Sequence, residues 1–85
     1  MTRLLLGNIE AGTTDEEITR FLAKYGFPPA QSIEHLAGDN ARSAAVLTFK
    51  GVNHELLQRL RSRIHAVHWK SRKITAQVLT SHFYD

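Results

Sequence analysis

Residues Arg42 to Phe49 read RSAAVLTF, and the alternation within these eight residues decides how the chain folds. One parity becomes steadily more apolar and ends on an aromatic ring: Ser43, Ala45, Leu47 and Phe49. The other parity carries one cation, Arg42, followed only by small or short side chains. Successive side chains of a strand point to opposite faces of a sheet. The segment therefore predicts a strand with one face on a core and the other face uncovered.

The length and composition limit what else the chain can contain. Its 85 residues allow one domain with a single two-layer core, and its lack of cysteine rules out disulfides and thiolate metal sites. No segment has the roughly 18 consecutive apolar residues of a membrane span, and the N-terminus does not resemble a secretory signal. We therefore expect a soluble, cytoplasmic protein without membrane contact. The initiating Met favours a stand-alone domain over residues 1–85, with a core from about 3 to 78 and a short tail at 79–85.

Charge is distributed unevenly along the chain. Residues 1–50 carry five cations and six anions, a net charge of −1, whereas residues 51–85 carry six cations and two anions, a net charge of +4. A basic C-terminal half is compatible with a polyanionic partner. It is equally compatible with a solvated helix face followed by a charged turn, so the charge alone does not decide the function.

The first half of the chain predicts a strand and then a helix. A short apolar run, Leu4 to Ile9, fits a strand. Thr14 stands three residues before Glu17, as in a capping box, and Gly26 followed by two prolines predicts the end of the helix. The apolar residues between them have helical spacing: Ile18, Phe21, Leu22 and Tyr25.

The second half of the chain predicts two strands, a helix and a last strand. Gln31 to Leu36 predicts a strand that forms a hairpin with the opening octapeptide through turn residues at 38–40. Asn53 is placed to cap a second helix. We expect that helix to bury four residues: Leu56, Leu57, Leu60 and Ile64. A last strand follows a basic turn at Lys70 to Arg72, with one parity apolar: Ile74, Ala76 and Val78. The order predicts an α+β, ferredoxin-like βαββαβ sandwich, a four-stranded antiparallel sheet with two helices on one face.

Two segments in this order resemble the signature motifs of RNA recognition motif (RRM) domains. Leu4 to Ile9, LLLGNI, is similar to the six-residue motif of their first strand, and RSAAVLTF is similar to the eight-residue motif of their third strand. Residues 69–74, WKSRKI, look like the hairpin and basic turn before their fourth strand. The resemblance spans Arg3 to about Val78 and implies a single-stranded RNA-binding module without catalytic activity or cofactor.

The sequence departs from the family where RRM domains stack bases on aromatic rings. Those positions hold Leu5, Ala44 and Val46, and Ser43 replaces an expected glycine. The resemblance therefore implies weak RNA binding through cations and apolar contacts. The predicted RNA-binding residues are Arg3, Leu5, Asn8, Arg42, Ala44, Val46, Lys70, Arg72, Lys73, Thr75, Gln77 and Tyr84, with Arg42 and Lys73 as anchors.

Two questions stay open in the sequence. Phe83 and Tyr84 in the tail could stack on bases, could cover the sheet, or could belong to a frayed terminus. Exposed Leu5, Leu36 and Val46 would also suit a protein-interaction module that docks a peptide or a second copy of the chain.

Metal binding and catalysis find no support in the sequence. The chain has five histidines but no cysteine, and no carboxylate at ligand spacing joins His65 and His68. None of the serines lies in a nucleophile elbow. Trp69 is predicted to be a core residue of the hairpin.

Overall fold

The computed structural model describes residues 2–37 and 42–79, and it leaves the side chains of Ala37 and Arg42 undescribed. Eight elements follow one another along the chain: β1 (Thr2–Glu10), α1 (Asp15–Ala23), β2 (Ser32–Ala37), β3 (Arg42–Phe49), α2 (His54–Ile64), β4 (His68–Trp69), β5 (Arg72–Lys73) and β6 (Thr75–Leu79). Neither helix in the described part has the length to cross a bilayer. The predicted βαββαβ order is confirmed, with the short hairpin β4–β5 inserted before the last strand.

The main sheet has the strand order β2-β3-β1-β6, and its neighbouring strands are antiparallel. β1 and β3 are therefore central, while β2 and β6 are the two edges. Leu4, Leu6, Ala45 and Leu47 are completely buried, and Phe49 is buried with them. The buried parity predicted for the opening octapeptide is confirmed.

α1 begins and ends where its local sequence directs. The Thr14 side chain accepts a hydrogen bond from the Glu17 amide, and the Thr14 amide donates to the Glu17 carboxylate, so the predicted capping box is present. Gly26 has a φ of +90° and lies two residues beyond the helix cap at Lys24. The sequence predicts it at C′, the first residue after the cap, so the helix ends one residue earlier than predicted. Ile18, Phe21 and Leu22 are buried against the sheet side of the domain.

α2 confirms three of its four predicted core residues. Asn53 caps it by accepting a hydrogen bond from the Leu56 amide at 2.7 Å, and Leu57, Leu60 and Ile64 are buried. The prediction for Leu56 is wrong, since its side chain is 43% exposed. The apolar stripe is narrower than the sequence indicates, because the helix faces the core only through Leu57, Leu60 and Ile64, which have i, i+3, i+7 spacing.

The end of α2 and the residues that follow it contact the outer edge of β6 at its beginning. Arg61 Nε donates to the Ala76 carbonyl at 2.8 Å, and the Ala76 amide donates to Nδ1 of His65 at 3.2 Å. The amide and carbonyl of Ile74 pair in the same way with the backbone around residues 66–67. An unpaired strand edge is a template for aggregation, and these contacts occupy it at Ala76 and at Ile74, the residue just before β6.

A bulge interrupts β1 beside the hairpin. Between Leu6 and Ile9, β1 advances three residues while β3 advances two, so one residue is extra. Asn8 adopts a left-handed φ of 58° there. A Cβ placed on Gly7 would lie 2.5 Å from Oγ1 of Thr75, so glycine at this position leaves room for the Thr75 side chain on the neighbouring strand.

Gly7→Ala is predicted to destabilise the domain by about 1 kcal/mol, because overpacking costs about 1–3 kcal/mol while alanine stiffens the unfolded chain by about half of that. Thr75→Ala should rescue it, since the next Thr75 atom, Cβ, would lie at 3.9 Å from the new methyl group. Urea unfolding of the two single variants and the double variant measures the coupling. A double variant no more stable than the sum of the single changes would contradict the close-approach explanation.

Candidate nucleic-acid interface

The face of the sheet opposite the buried parity carries two rows of side chains that cross all four strands. One row contains Glu34, Val46, Leu5 and Gln77, which are register partners on neighbouring strands. The next row contains Ser32, Thr48, Arg3 and Leu79. Leu5 and Val46 are partly exposed, and Gln77 is exposed. We call this surface the open face. It has an apolar centre with polar residues on both sides.

Two exposed cations lie toward opposite ends of β1. Arg3 is exposed near the beginning of the strand, on the open face. Lys73 is exposed in β5, and its carbonyl accepts a hydrogen bond from Asn8 near the other end of β1. Five residues of strand, the distance in sequence from Arg3 to Asn8, span roughly 17 Å. The predicted anchor Arg42 lies in β3 opposite Glu10, but its side chain lies outside the described residues, as do Phe83 and Tyr84.

The open face carries no aromatic ring at its described central positions. Ala44 lies beside Leu36 on β2, and Val46 lies between Glu34 and Leu5. The positions that the resemblance assigns to stacking rings thus lie on the open face and hold Leu5, Ala44 and Val46. A base lying there would make apolar contact only.

Asn8 and Arg72 join the bulge of β1 to the hairpin. Nδ2 of Asn8 donates to the Lys73 carbonyl at 2.9 Å, and Nη1 of Arg72 lies 3.5 Å from Oδ1 of Asn8. Both side chains are half-buried. The structure thus gives Asn8 a positioning contact, because its amide fixes the backbone on which Lys73 is presented.

Lys70 is already paired within the protein. Its Nζ lies 2.7 Å from a Glu17 carboxylate oxygen and 5.4 Å from the centre of the Trp69 ring. The hydrogen bond from Lys70, and then that from the Thr14 amide, lowers the pKa of Glu17 below its usual value. A phosphate that binds Lys70 would therefore have to compete with the Glu17 carboxylate for its ammonium group.

Two acidic residues of this region were missed from the sequence. Glu34 lies in the central row of the open face, and the alternation of β2 would have placed it there with Leu36. Glu17 was interpreted only as a helix-capping residue, and no sequence signal indicates that it also pairs with Lys70, 53 positions away. Trp69 packs against the core and stacks on Phe21, as predicted for a hairpin core residue.

Comparison with known proteins identifies the fold. No protein-family model and no curated protein matches the sequence. Solved structures do match. The third RRM domain of Pes4 matches with a TM-score of 0.75 and 20% identity, and the match covers 95% of this chain and 94% of that one. The chain has the RRM fold. The third RRM domain of Mip6 matches it with a TM-score of 0.72, 22% identity and 88% coverage of both chains.

An RRM domain whose structure contains bound RNA also matches the chain. The Rna15 RRM with bound RNA (GU) has a TM-score of 0.65 and 19% identity, and the match covers 88% of this chain and 79% of that chain. The second RRM domain of the yeast poly(U)-binding protein Pub1 has a TM-score of 0.68 and 15% identity, with 95% and 96% covered. At these identities the comparison establishes the arrangement of strands and helices.

Lys70→Gln is predicted to raise the pKa of Glu17 toward its usual value, because the largest cause of its lowering is removed. A lowered carboxylate pKa stabilises the fold above the unfolded-state pKa, and this stabilisation is lost as the pH falls through the folded-state value. The Lys70→Gln variant should therefore lose less stability on acidification. NMR titration of the Glu17 side-chain carboxyl measures the pKa, with Lys73→Gln as the control of equal charge. Equal Glu17 pKa values in wild type and Lys70→Gln would contradict the pairing.

Proposed function

We propose that this chain binds single-stranded RNA through the open face, weakly and with little base discrimination. One observation carries the proposal: among the described residues, the alternate side chains of β1 and β3 that are not buried form an uncovered surface with an apolar centre, and exposed cations lie toward both ends of β1. Leu5 and Val46 provide the centre, and Arg3 and Lys73 are the cations. Apolar contact with bases and cation contact with phosphates are what such a surface offers a nucleic acid.

The missing rings determine the expected strength. Stacking on an aromatic side chain is worth about 1–3 kcal/mol per base, so the loss of stacking for two bases weakens binding by about 2–6 kcal/mol. Phosphate contacts remain, and electrostatic binding of this kind typically has a Kd of about 10⁻⁶ to 10⁻⁴ M. The affinity should therefore depend steeply on salt and little on sequence.

The structural neighbours support RNA as the partner. The Rna15 RRM was solved with bound RNA (GU), and Pub1 is a poly(U)-binding protein. The function we propose for this chain is accordingly binding without catalysis and without a cofactor. Among the described residues, no group of histidines and carboxylates is placed to hold a metal ion.

A second function, docking of a protein, is favoured by a different observation. Leu36 is 40% exposed on the edge strand β2 and lies beside Ala44, next to the partly exposed Val46. Together these side chains extend the apolar centre of the open face toward the edge of the sheet. Burial of such a surface by a partner would be driven by apolar contact and would change little with salt.

NMR titration of the labelled protein with a pool of short random RNAs tests the proposed function. RNA binding should shift amide resonances on the open face around Leu5, Val46 and Gln77, and the shifts should shrink steeply as the salt rises from about 50 to 200 mM. The buried register neighbours Leu4 and Leu47 are internal controls. An unmoved spectrum at low salt would overturn RNA binding, and shifts that persist at high salt would favour protein-like apolar contact.

A further inference from the structure

A cavity of about 280 Å³ lies between α1 and the hairpin β4–β5, away from the open face. Aromatic rings pack together at its wall. Phe21 and Trp69 are stacked with 4.3 Å between centroids at 16°, and Tyr25 meets Phe21 edge-on at 5.4 Å. Phe21 is buried, whereas Tyr25 and Trp69 are only half-buried. Tyr25 and Trp69 therefore offer ring surface that a ligand in the cavity can contact.

Cations surround these rings. Arg20, Lys24 and Lys70 line the cavity together with one carboxylate, that of Glu17, which gives these four side chains a net charge of +2. Arg20 also pairs with Glu16 on the same helix. Lys24 is exposed, and among the described residues it has no ion-pair partner. Aromatic surface with surplus positive charge is the combination that binds a flat anionic group such as a nucleotide.

The cavity is continuous with the proposed RNA-binding surface through the hairpin turn. Lys70 also lines a second, shallower cavity of about 550 Å³, whose other cation is Arg72. Arg72 in turn contacts Asn8 at the bulge of β1, next to Lys73. A line of cations therefore leads from the end of the open face, around the turn, to α1. An RNA strand that leaves the sheet at this end would follow it.

The turn holds Lys70 in an unfavourable backbone conformation. Lys70 and Ser71 have φ of 52° and 64°, the left-handed pair of a type I′ hairpin turn, where asparagine and glycine are preferred. For other residues that conformation costs about 1–2 kcal/mol each. Strain of this kind concentrates at functional sites, and here it is borne by the residue that lines both cavities.

We propose that the cavity between α1 and the hairpin is a second nucleotide site, which binds a nucleotide of the RNA strand flanking the segment on the open face. The site rests on the proposed function. Lys24 and Arg20 hold the phosphate, and the base lies against the accessible surface of Tyr25 and Trp69. RNA is favoured over an acidic peptide as the occupant because Lys70, Arg72 and Lys73 extend the positive charge from the cavity to the bulge of β1. The carboxylates of Glu17 and Glu10 lie beside this path and reduce its charge without cancelling it.

Trp69 is the only tryptophan of the chain, so its fluorescence reports on this site alone. The experiment titrates the whole protein with random RNA pools of about 4 and about 10 nucleotides at 50 mM salt and follows both Trp69 fluorescence and RNA anisotropy. The long pool should quench Trp69 and bind more tightly. The short pool should bind to the sheet and change Trp69 fluorescence little.

Two double variants with equal charge changes locate the contact. Arg20→Gln/Lys24→Gln removes two of the three cavity cations and leaves Lys70. Arg59→Gln/Lys50→Gln is the control, since Arg59 pairs with Glu55 on α2 just as Arg20 pairs with Glu16 on α1. Each phosphate contact on a single strand contributes about 0.7 to the salt exponent, or about 8-fold in affinity at about 50 mM salt. The cavity variant should therefore lose about 8-fold or more for the long pool only, together with the Trp69 quenching. Circular dichroism checks that both variants fold.

Each other outcome overturns the site in a recognisable way. Equal losses in the two double variants would mean that only net charge matters. Unchanged long-RNA binding in the cavity variant would overturn the second site and leave the open face intact. Wild-type protein that binds neither pool would overturn the proposed function and the second site together. Quenching of Trp69 by a poly-glutamate peptide with an aromatic residue, but not by RNA, would assign the cavity to a protein partner.

Discussion

β1 pairs with β3 on one side and with β6 on the other, and the register of these two ladders determines which side chains are buried. Because side chains alternate, a slip of one residue in either ladder would exchange the buried and exposed sets. Leu4 and Leu6 on β1, with Ala45 and Leu47 on β3, keep the register by filling a core from which water is excluded. As a direct consequence, Arg3 is exposed and Leu5 and Val46 are partly exposed on the other side.

β1 contributes to both the open face and the position of the hairpin. The bulge at Gly7 and Asn8 brings β1 close to Thr75, and the Asn8 side chain fixes the backbone of Lys73. The hairpin then turns back toward α1, where Lys70 meets Glu17. Three of the six cations of residues 51–85 therefore lie at the hairpin, namely Lys70, Arg72 and Lys73, whereas the other three are on α2. A surface of this kind holds phosphates better than it distinguishes bases.

Much of the fold follows from local patterns in the sequence. The alternation of residues 42–49, the capping box at Thr14 and the asparagine cap at Asn53 each specify a structure that depends on near neighbours, and each is confirmed. Leu56 was placed wrongly because a helical stripe read from sequence has no fixed edge, and only packing decides how wide it is.

The site was less predictable for the same reason. Leu5 and Val46 follow from strand parity, but the contacts of Asn8 with Lys73 and of Lys70 with Glu17 join residues 65 and 53 positions apart. Such contacts depend on where the bulge and the hairpin turn place the chain, and no periodic pattern encodes them. The cavity beside Trp69 was missed because the sequence presents its rings and cations on two unrelated elements.

One substitution tests most directly whether the face that carries Val46 is uncovered and would bind RNA more tightly if it carried an aromatic ring. Val46→Phe places an aromatic side chain at the centre of the open face, and Val46→Leu adds apolar volume without one. If the account is right, Val46→Phe binds a random single-stranded RNA pool about 5- to 150-fold more tightly than wild type, the equivalent of about 1–3 kcal/mol for one stacked base, while Val46→Leu changes the affinity little. A folded Val46→Phe variant that binds RNA no better than Val46→Leu would contradict it.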